Sequence, residues 1–218
     1  MINVHTTPLI GYGRALKRII DILLASLGLL LSLPFTLLIA VLMKISEPRS
    51  PVLFKQKRLS RFNRTINIYK FRSHKKSFSG LSPEEAFAKM KRPDLLEQYR
   101  KDGDQLADDP RVTRIGKFLR STSLDELPQL INVLKGDISL VGPRALVPAE
   151  LSSYEFKNLI LSVKSGLTGL AQISGRRDIS FEERRKLDMY YVQNWSILLD
   201  LQIILRTIFM VITGKGAK

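Results

Sequence analysis

The chain contains no cysteine, only two histidines, one tryptophan and few aromatic residues of any kind. Without cysteine there is no disulfide, no thiolate metal site and no cysteine nucleophile. With only His5 and His74, neither a zinc site nor a histidine-based catalytic triad is expected. Any catalysis must therefore depend mainly on carboxylates, arginines and lysines.

Acidic residues are also scarce, with 20 Asp and Glu against 35 Lys and Arg, which gives a formal net charge of +15. A charge of this size predicts anionic partners: nucleic acid, anionic lipid or phosphorylated substrates. Nucleic-acid binding has no further support, because aromatic residues are 8% of the chain and form no stacking pattern. A length of 218 residues predicts one compact domain with room for an appendage.

One apolar stretch, 22–43, carries no charge and is long enough to cross a hydrocarbon core. Pro34 near its middle is expected to break the helix, and Ser32 could satisfy a freed carbonyl there. Basic residues flank both ends, and the positive-inside rule places both flanks on the cytoplasmic face. We therefore predict a re-entrant helix within an N-terminal unit, 1–45, over a spanning helix or a cleavable signal peptide.

The next segment, 44–76, contains many basic residues and a single acid. Such a juxtamembrane stretch is typical of binding to anionic lipids, worth about 1 kcal/mol per basic residue. Within it, VLFKQ and TINIYKF alternate apolar and polar residues around a turn-like stretch, which predicts a short β-hairpin. Lys70 and Arg72 would then lie on one face of the second strand.

Residues 81–109 are more acidic than their surroundings and are interpreted as a helical insertion. Ser82 is a good N-cap, since Pro83 and two glutamates follow it in the first turn. The pattern predicts one helix from Pro83 to about Tyr99.

The C-terminal part, 181–213, has apolar residues near helical spacing, which predicts an amphipathic pair or one long bent helix. Tyr190, Tyr191 and Trp195 suit a membrane interface, and a buried core stripe is the alternative.

Two adjacent acids, Asp125 and Glu126, lie in the run STSLDELPQLINVLKGDISLVGPR, 121–144. Adjacent carboxylates repel each other, so a pair close to several cations indicates a divalent metal or a charged substrate. A solvated turn is the alternative. Ser123 as N-cap with Glu126 three residues later predicts a capping box, in which Glu126 would be structural. The neighbouring cations are Arg111, Arg114, Lys117 and Arg120.

Motifs in a fixed order cover nearly the whole chain: KRIID with the apolar segment, VLFKQKR, YKFRS, DPRVTRIGKFLRSTSLDELPQLINVLKGDISLVGPR, SGLTGLAQISGR and LDMYYVQNWSILLDLQIILRT. In this order they resemble the monotopic phosphoglycosyl transferases, the bacterial sugar transferase family that begins polysaccharide and glycoconjugate synthesis. The resemblance implies a mainly α fold with a short β-hairpin. It also implies a monotopic membrane protein, with a Pro-broken re-entrant helix, interfacial amphipathic helices and a catalytic domain over 46–218.

The resemblance further implies transfer of a phosphosugar from a UDP-sugar to polyprenyl phosphate, with release of UMP. Asp125 would be a ligand of Mg²⁺ and the nucleophile that forms a covalent phosphosugar intermediate, with Glu126 as its acid/base or metal-associated partner. Arg120 is the candidate for the polyprenyl phosphate, and Arg144 and Arg176 are candidates for the nucleotide sugar. Arginine suits these roles because it offers bidentate donors, although each could instead be a structural ion-pair partner. Three more cations are assigned to substrate binding: Lys70, Arg72 and Arg111.

The expected partners are a UDP-sugar, polyprenyl phosphate of the undecaprenyl type, anionic membrane lipids and a second copy of the chain in a homodimer. Nucleic acid is not expected. The expected location is the cytoplasmic face of the bacterial inner membrane. A non-catalytic membrane scaffold is the alternative function, and no short motif encodes the identity of the sugar.

Overall fold

The computed structural model describes residues 7–102, 106–148, 151, 156–175 and 179–213, so Arg176 lies outside the described residues. The described residues form a mainly helical fold with a β-hairpin, as predicted, and a second two-stranded sheet that was not predicted. The elements are α1 Gly11–Ser46, β1 Leu53–Ser60, β2 Arg64–Phe71, α2 Pro83–Lys89, α3 Pro93–Lys101, α4 Arg114–Thr122, α5 Gln129–Lys135, β3 Ser139–Val141, α6 Lys157–Ile160, β4 Gly166–Thr168, α7 Leu170–Ser174, α8 Phe181–Gln193 and α9 Ile197–Thr213.

The helix α1 continues through Pro34 without interruption, so the expected break at that position is wrong. Proline inside a helix removes one hydrogen bond and costs about 3 kcal/mol, which the packing of the helix on either side can offset. Ser32 does not satisfy the carbonyl that Pro34 leaves free, which belongs to Leu30. Its hydroxyl instead donates to the carbonyl of Leu29 at 3.3 Å.

The two ends of α1 pack on the same folded domain. Near the start, the Asp21 carboxylate accepts hydrogen bonds from the Ser139 hydroxyl and the Leu140 amide at β3. Near the end, Ile39 and Met43 join a buried cluster with residues from β2 and α4. By length and composition α1 could cross a membrane. Its other face exposes a large apolar surface, made by Ile22, Leu23, Leu27, Leu30, Leu31, Leu33, Phe35, Leu37, Leu38, Val41 and Leu42.

The predicted β-hairpin is confirmed, with strands longer than expected. β1 and β2 pair antiparallel from Leu53 opposite Phe71 to Ser60 opposite Arg64. The turn at the tip holds Phe62 and Asn63 in the left-handed region. Because alternate residues of a strand face one side, Ile66 and Ile68 both enter the core.

The insertion contains two helices, α2 and α3, so the prediction of one helix to Tyr99 is wrong. The chain turns at Lys91, which has a positive φ, and Pro93 then begins the second helix. The predicted start is confirmed: the Ser82 hydroxyl accepts from the Glu85 amide, and the Glu85 carboxylate accepts from the Ser82 amide.

The C-terminal segment is a pair of helices, α8 and α9, which confirms the first of the two alternatives. Tyr191 is fully buried in the core, whereas Tyr190 is half exposed. Trp195 packs against the core and donates to Asp200 at 3.0 Å. α9 buries Asp200 and Ile203 and exposes the opposite stripe of Leu198, Leu201, Leu205, Ile208 and Ile212.

Candidate active site

The two acids of the DE pair lie on a short 3-10 turn, Leu124–Glu126, that joins α4 to α5. Ser123 precedes the turn in the left-handed region, with a φ of 60°. Its side chain makes no capping hydrogen bond, so the capping box predicted for Ser123 and Glu126 is absent. The left-handed backbone at Ser123 differs from the extended conformation of a normal N-cap, and the Glu126 side chain is therefore available for another partner.

That partner is Lys70, whose Nζ lies 2.5 Å from Glu126 Oε1. Lys70 is the penultimate residue of β2, opposite Phe54. The end of the hairpin thus places a cation beside the acidic pair. The assignment of Lys70 to substrate binding stays a prediction. Both side chains are partly exposed, so a small charged substrate can reach them.

The Asp125 carboxyl is in a less polar setting than Glu126. Burial raises its pKa to about 6, and the neighbouring charge of Glu126 acts in the same direction. Lys70 and Arg120 oppose the shift, which places both cations close enough to act on Asp125. A carboxylate that is ionised at neutral pH, yet poorly solvated, is suited to attack an electrophile or bind a cation.

Arg120 is held next to the acidic pair by two residues that follow β2. Its Nε donates to the Ser73 hydroxyl at 3.0 Å, and its Nη2 lies 3.1 Å from His74 Nε2. Burial, together with the charges of Arg120 and Arg111, lowers the pKa of His74 to about 4. His74 is therefore neutral near pH 7 and accepts from Arg120. No sequence pattern marked Ser73, the last residue of the YKFRS motif, or His74, which follows it, as functional residues.

Arg72 and Arg111 are both buried and have protein partners. Arg72 contacts Glu47 at 2.9 Å and donates to the Pro51 carbonyl. Arg111 forms a bidentate pair with Asp109, and its guanidinium lies over the rings of Phe87 and Tyr99, 4.3 and 4.7 Å from their centroids. These contacts give both arginines a structural role, and their assignment to substrate binding stays a prediction.

Arg144 lies on the loop after β3, where its backbone bridges Gly166. Beneath this loop is a feature that the sequence analysis did not identify, the fully buried Asp188 of α8. Neither of its carboxylate oxygens has a well-formed hydrogen bond within the described residues. Burial raises the pKa of Asp188 to about 7, and the charge of Arg144 opposes that shift.

The acidic pair suits Mg²⁺ better than a metal that needs a full set of protein ligands. Within the described ranges, no three Asp, Glu or His side chains converge as a metal cage would require. Mg²⁺ in phosphoryl-transfer sites commonly takes one or two carboxylates and completes its shell with water and substrate phosphates. Asp125 and Glu126 offer such carboxylate oxygens side by side.

A long apolar helix, a carboxylate pair and two nearby cations form the arrangement expected of a membrane-associated transferase of phosphate-containing groups. Sequence comparison identifies the family: the profile of the bacterial sugar transferases matches residues 12–214. The chain belongs to that family, as the motifs predicted.

Three relatives illustrate the relationship. The chain is 42% identical over 206 residues to the exopolysaccharide production protein ExoY of Rhizobium meliloti, which covers 94% of this chain and 89% of ExoY. It is 44% identical over 209 residues to the galactosyl transferase CpsE of Streptococcus agalactiae, covering 93% of this chain and 43% of CpsE. It is 38% identical over 226 residues to the UDP-glucose:undecaprenyl-phosphate glucose-1-phosphate transferase of Escherichia coli, covering 100% of this chain and 44% of that protein. The chain thus spans nearly all of ExoY and less than half of the other two.

Proposed function

We propose that this protein transfers a sugar 1-phosphate from a UDP-sugar to polyprenyl phosphate, giving polyprenyl diphosphate sugar and UMP, as the first membrane step of polysaccharide or glycoconjugate synthesis. The observation that carries the proposal is Asp125, a half-buried carboxyl with a pKa of about 6 between Glu126, Lys70 and Arg120. Relatives whose names state this reaction with undecaprenyl phosphate support the assignment.

In the first step, an oxygen of Asp125 attacks the phosphorus that carries the sugar. A bond forms between the carboxylate and that phosphorus, and the bond to the bridging oxygen of the diphosphate breaks. The electron pair leaves with UMP. Asp125 is then joined to the phosphosugar as a mixed anhydride, and no proton has to move.

In the second step, a phosphate oxygen of polyprenyl phosphate attacks the same phosphorus. The bond to Asp125 breaks, which restores the carboxylate and completes the polyprenyl diphosphate sugar. If the lipid phosphate arrives with a proton, we assign its acceptance to Glu126, whose carboxylate contacts Lys70.

Cations around the acidic pair offset the negative charge that both substrates bring. Arg120, held by Ser73 and His74, is assigned to the polyprenyl phosphate. Arg144 and Arg176 are assigned to the nucleotide sugar. Asp125 and Glu126 would hold Mg²⁺, which when bound neutralises phosphate charge and polarises the phosphoryl oxygens.

The test is UMP release by the detergent-solubilised chain with undecaprenyl phosphate, Mg²⁺ and a panel of UDP-sugars. Release with one donor, lost on adding EDTA and in Asp125→Asn, is the expected result. Absence of release across the panel, from protein shown to be folded by circular dichroism, would instead support the membrane scaffold.

We also propose that α1 enters and leaves the same leaflet, so that residues 46–218 form a catalytic domain on the cytoplasmic face of the inner membrane. The support is that both ends of α1 contact that domain, at Asp21 and at Met43. A straight crossing would separate these two ends by the full hydrocarbon thickness, about 30 Å. The apolar stripes of α1 and α9 would face lipid.

The absence of cysteine makes the topology simple to test. Single substitutions Tyr12→Cys and Ile45→Cys introduce thiols at exposed positions near the two ends of α1. A membrane-impermeant maleimide applied to intact spheroplasts should label neither variant, and both should react after lysis. A spanning helix would leave one of the two labelled in intact cells.

A further inference from the structure

Four cationic side chains from three separate parts of the chain are close enough to act on one another's charges, and two of them lie beside the C-terminal end of α5. We call them the tip cluster, because one of them lies at the tip of the β-hairpin: Arg14, Arg18, Arg61 and Lys164. Gly136 ends α5 with a positive φ of 80°. Arg18 Nη2 and Lys164 Nζ each lie 3.3 Å from the point that a β-carbon on Gly136 would occupy. These two cations are therefore separated by no more than twice that distance.

Only part of this charge is balanced within the described residues. Arg18 donates to the carbonyls of Val133 and Leu134 at 2.5 and 2.7 Å, which caps α5. Lys164 makes no hydrogen bond or close ion pair among the residues described, and Arg61 Nε is buried without a hydrogen-bond partner.

The nearby acids are already engaged with other groups. Asp21 accepts from Ser139 and Leu140 at β3. Asp137 accepts from the Asn132 side chain at 3.1 Å. Cations in the tip cluster thus outnumber the acids near them, and those acids have other donors.

The surroundings disfavour the charged form of two members of the cluster. Burial lowers the pKa of Lys164, and the charges of Arg18 and Arg61 lower it further. Burial also lowers the pKa of Arg61, and Arg14 adds to that effect. Like charges held together in a partly desolvated site destabilise the fold unless an anion joins them.

We propose that the tip cluster binds the phosphate of an anionic phospholipid headgroup. The inference rests on the membrane location given under the proposed function. Arg14 and Arg18 immediately precede the apolar stretch of α1, at the depth where headgroups lie. Phe62 projects at the hairpin tip, 72% exposed, with the Arg61 guanidinium 4.2 Å from its ring. A cation beside an exposed aromatic side chain suits the boundary between headgroups and acyl chains.

This site is distinct from the acidic pair. Leu124 and Leu127, which flank Asp125, pack near Ile39 and Met43, whereas the tip cluster uses the start of α1. Arg18 and Ile39 are 21 positions apart on α1, toward its two ends. The hairpin also separates the two sites, because Lys70 lies at its open end and Arg61 at its tip.

The test compares the unfolding temperature of the full chain in a non-ionic detergent with three additives: short-chain phosphatidylglycerol, phosphatidylcholine of the same chain length, and inorganic phosphate. The variant is Arg61→Gln combined with Lys164→Gln. Lys101→Gln, an exposed lysine at the end of α3, is the matched control. Phosphatidylglycerol should raise the unfolding temperature of the wild type and of the control, phosphatidylcholine should not, and the double variant should lose more than half of the shift.

Without lipid, the double variant should unfold no lower than the wild type, because two repelling charges are gone. Equal phosphatidylglycerol shifts in both proteins, or a lower unfolding temperature of the lipid-free double variant, would overturn the proposal. An inorganic phosphate shift as large as that of phosphatidylglycerol would assign the site to soluble phosphate and also overturn it. UMP release in the same micelles should be unchanged in the double variant, so a failure of this site and a failure of the proposed transfer give different results.

Discussion

Lys70 and Glu126 form an ion pair, with 2.5 Å between Nζ and Oε1, that joins the end of the hairpin to the turn that carries the acidic pair. Glu126 thus pairs with Lys70 and does not form the capping box that the sequence predicts with Ser123. The ion pair also brings Lys70 close enough to lower the pKa of Asp125. Lys70 therefore acts on both acids, and its removal should have a signature distinct from the loss of either one.

Lys70→Gln should reduce UMP release by about 10- to 100-fold at pH 7, which is the typical effect of removing a supporting residue of a catalytic site. In a pH profile of UMP release by this variant, the fall in rate on the acidic side (the acid limb) should also occur at higher pH, because the cation that favours ionised Asp125 is missing. Lys70→Arg is the matched control and should keep the wild-type limb. An unchanged limb in Lys70→Gln would contradict this role.

Asp125→Asn should lower UMP release by about 10³-fold or more, since the amide cannot form the acyl phosphate. A radiolabelled sugar phosphate should remain bound to the wild type after acid quenching and be absent from this variant. Asp108→Asn, at an exposed aspartate in the segment before α4, should behave as the wild type. Labelled Asp125→Asn protein would show that another residue is the nucleophile.

The pH dependence of the first step should report the ionisation of Asp125. Burial raises the pKa of this carboxyl to about 6, and only the deprotonated form can attack. Single-turnover UMP release should therefore rise through pH 6, reach a plateau above pH 7 and fall about tenfold per unit well below the pKa. Measurements between pH 5 and 8 test this, and a flat profile over that interval would be inconsistent with attack by Asp125.

His74→Ala should raise the KM for polyprenyl phosphate with a smaller change in kcat, because Arg120 loses the acceptor 3.1 Å from its Nη2. We expect a change of about tenfold, typical of one hydrogen bond to a charged group. His74→Gln, which retains an acceptor, should restore most of the affinity. The effect should be the same at pH 6 and pH 8, since burial keeps the pKa of His74 near 4.

The buried pair of Lys17 Nζ and Asp200 Oδ2, 2.6 Å apart, should stabilise the contact between α1 and α9. Asp200→Asn removes the carboxylate that is in direct contact with buried Lys17, and loss of one member of such a pair costs about 3–5 kcal/mol. Thermal unfolding in detergent measures this. Lys17→Met combined with Asp200→Asn should be less destabilised than Asp200→Asn alone. A double variant that loses as much stability as the two single variants together would contradict the pairing.

Some patterns within about one helical turn were read correctly from the sequence. Ser82 begins a helix because its hydroxyl and Glu85 satisfy neighbouring amides, and both residues lie within four positions. The hairpin follows from alternation, and the long apolar helix from composition alone. Two local predictions were wrong. The left-handed φ of Ser123 is incompatible with the predicted N-cap, and α1 continues through Pro34, where a break was predicted.

The sequence by itself determined the family, the apolar segment and the acidic pair with its excess of nearby cations. Only the tertiary structure decided which cation meets which acid. Lys70 reaches Glu126 across 56 positions, whereas the buried Arg72, two residues further on, contacts Glu47. The tip cluster likewise joins α1, the hairpin and the segment before β4. The physical reason is that charge pairing depends on distance in space, and for residues far apart in the chain that distance is decided by packing of the core.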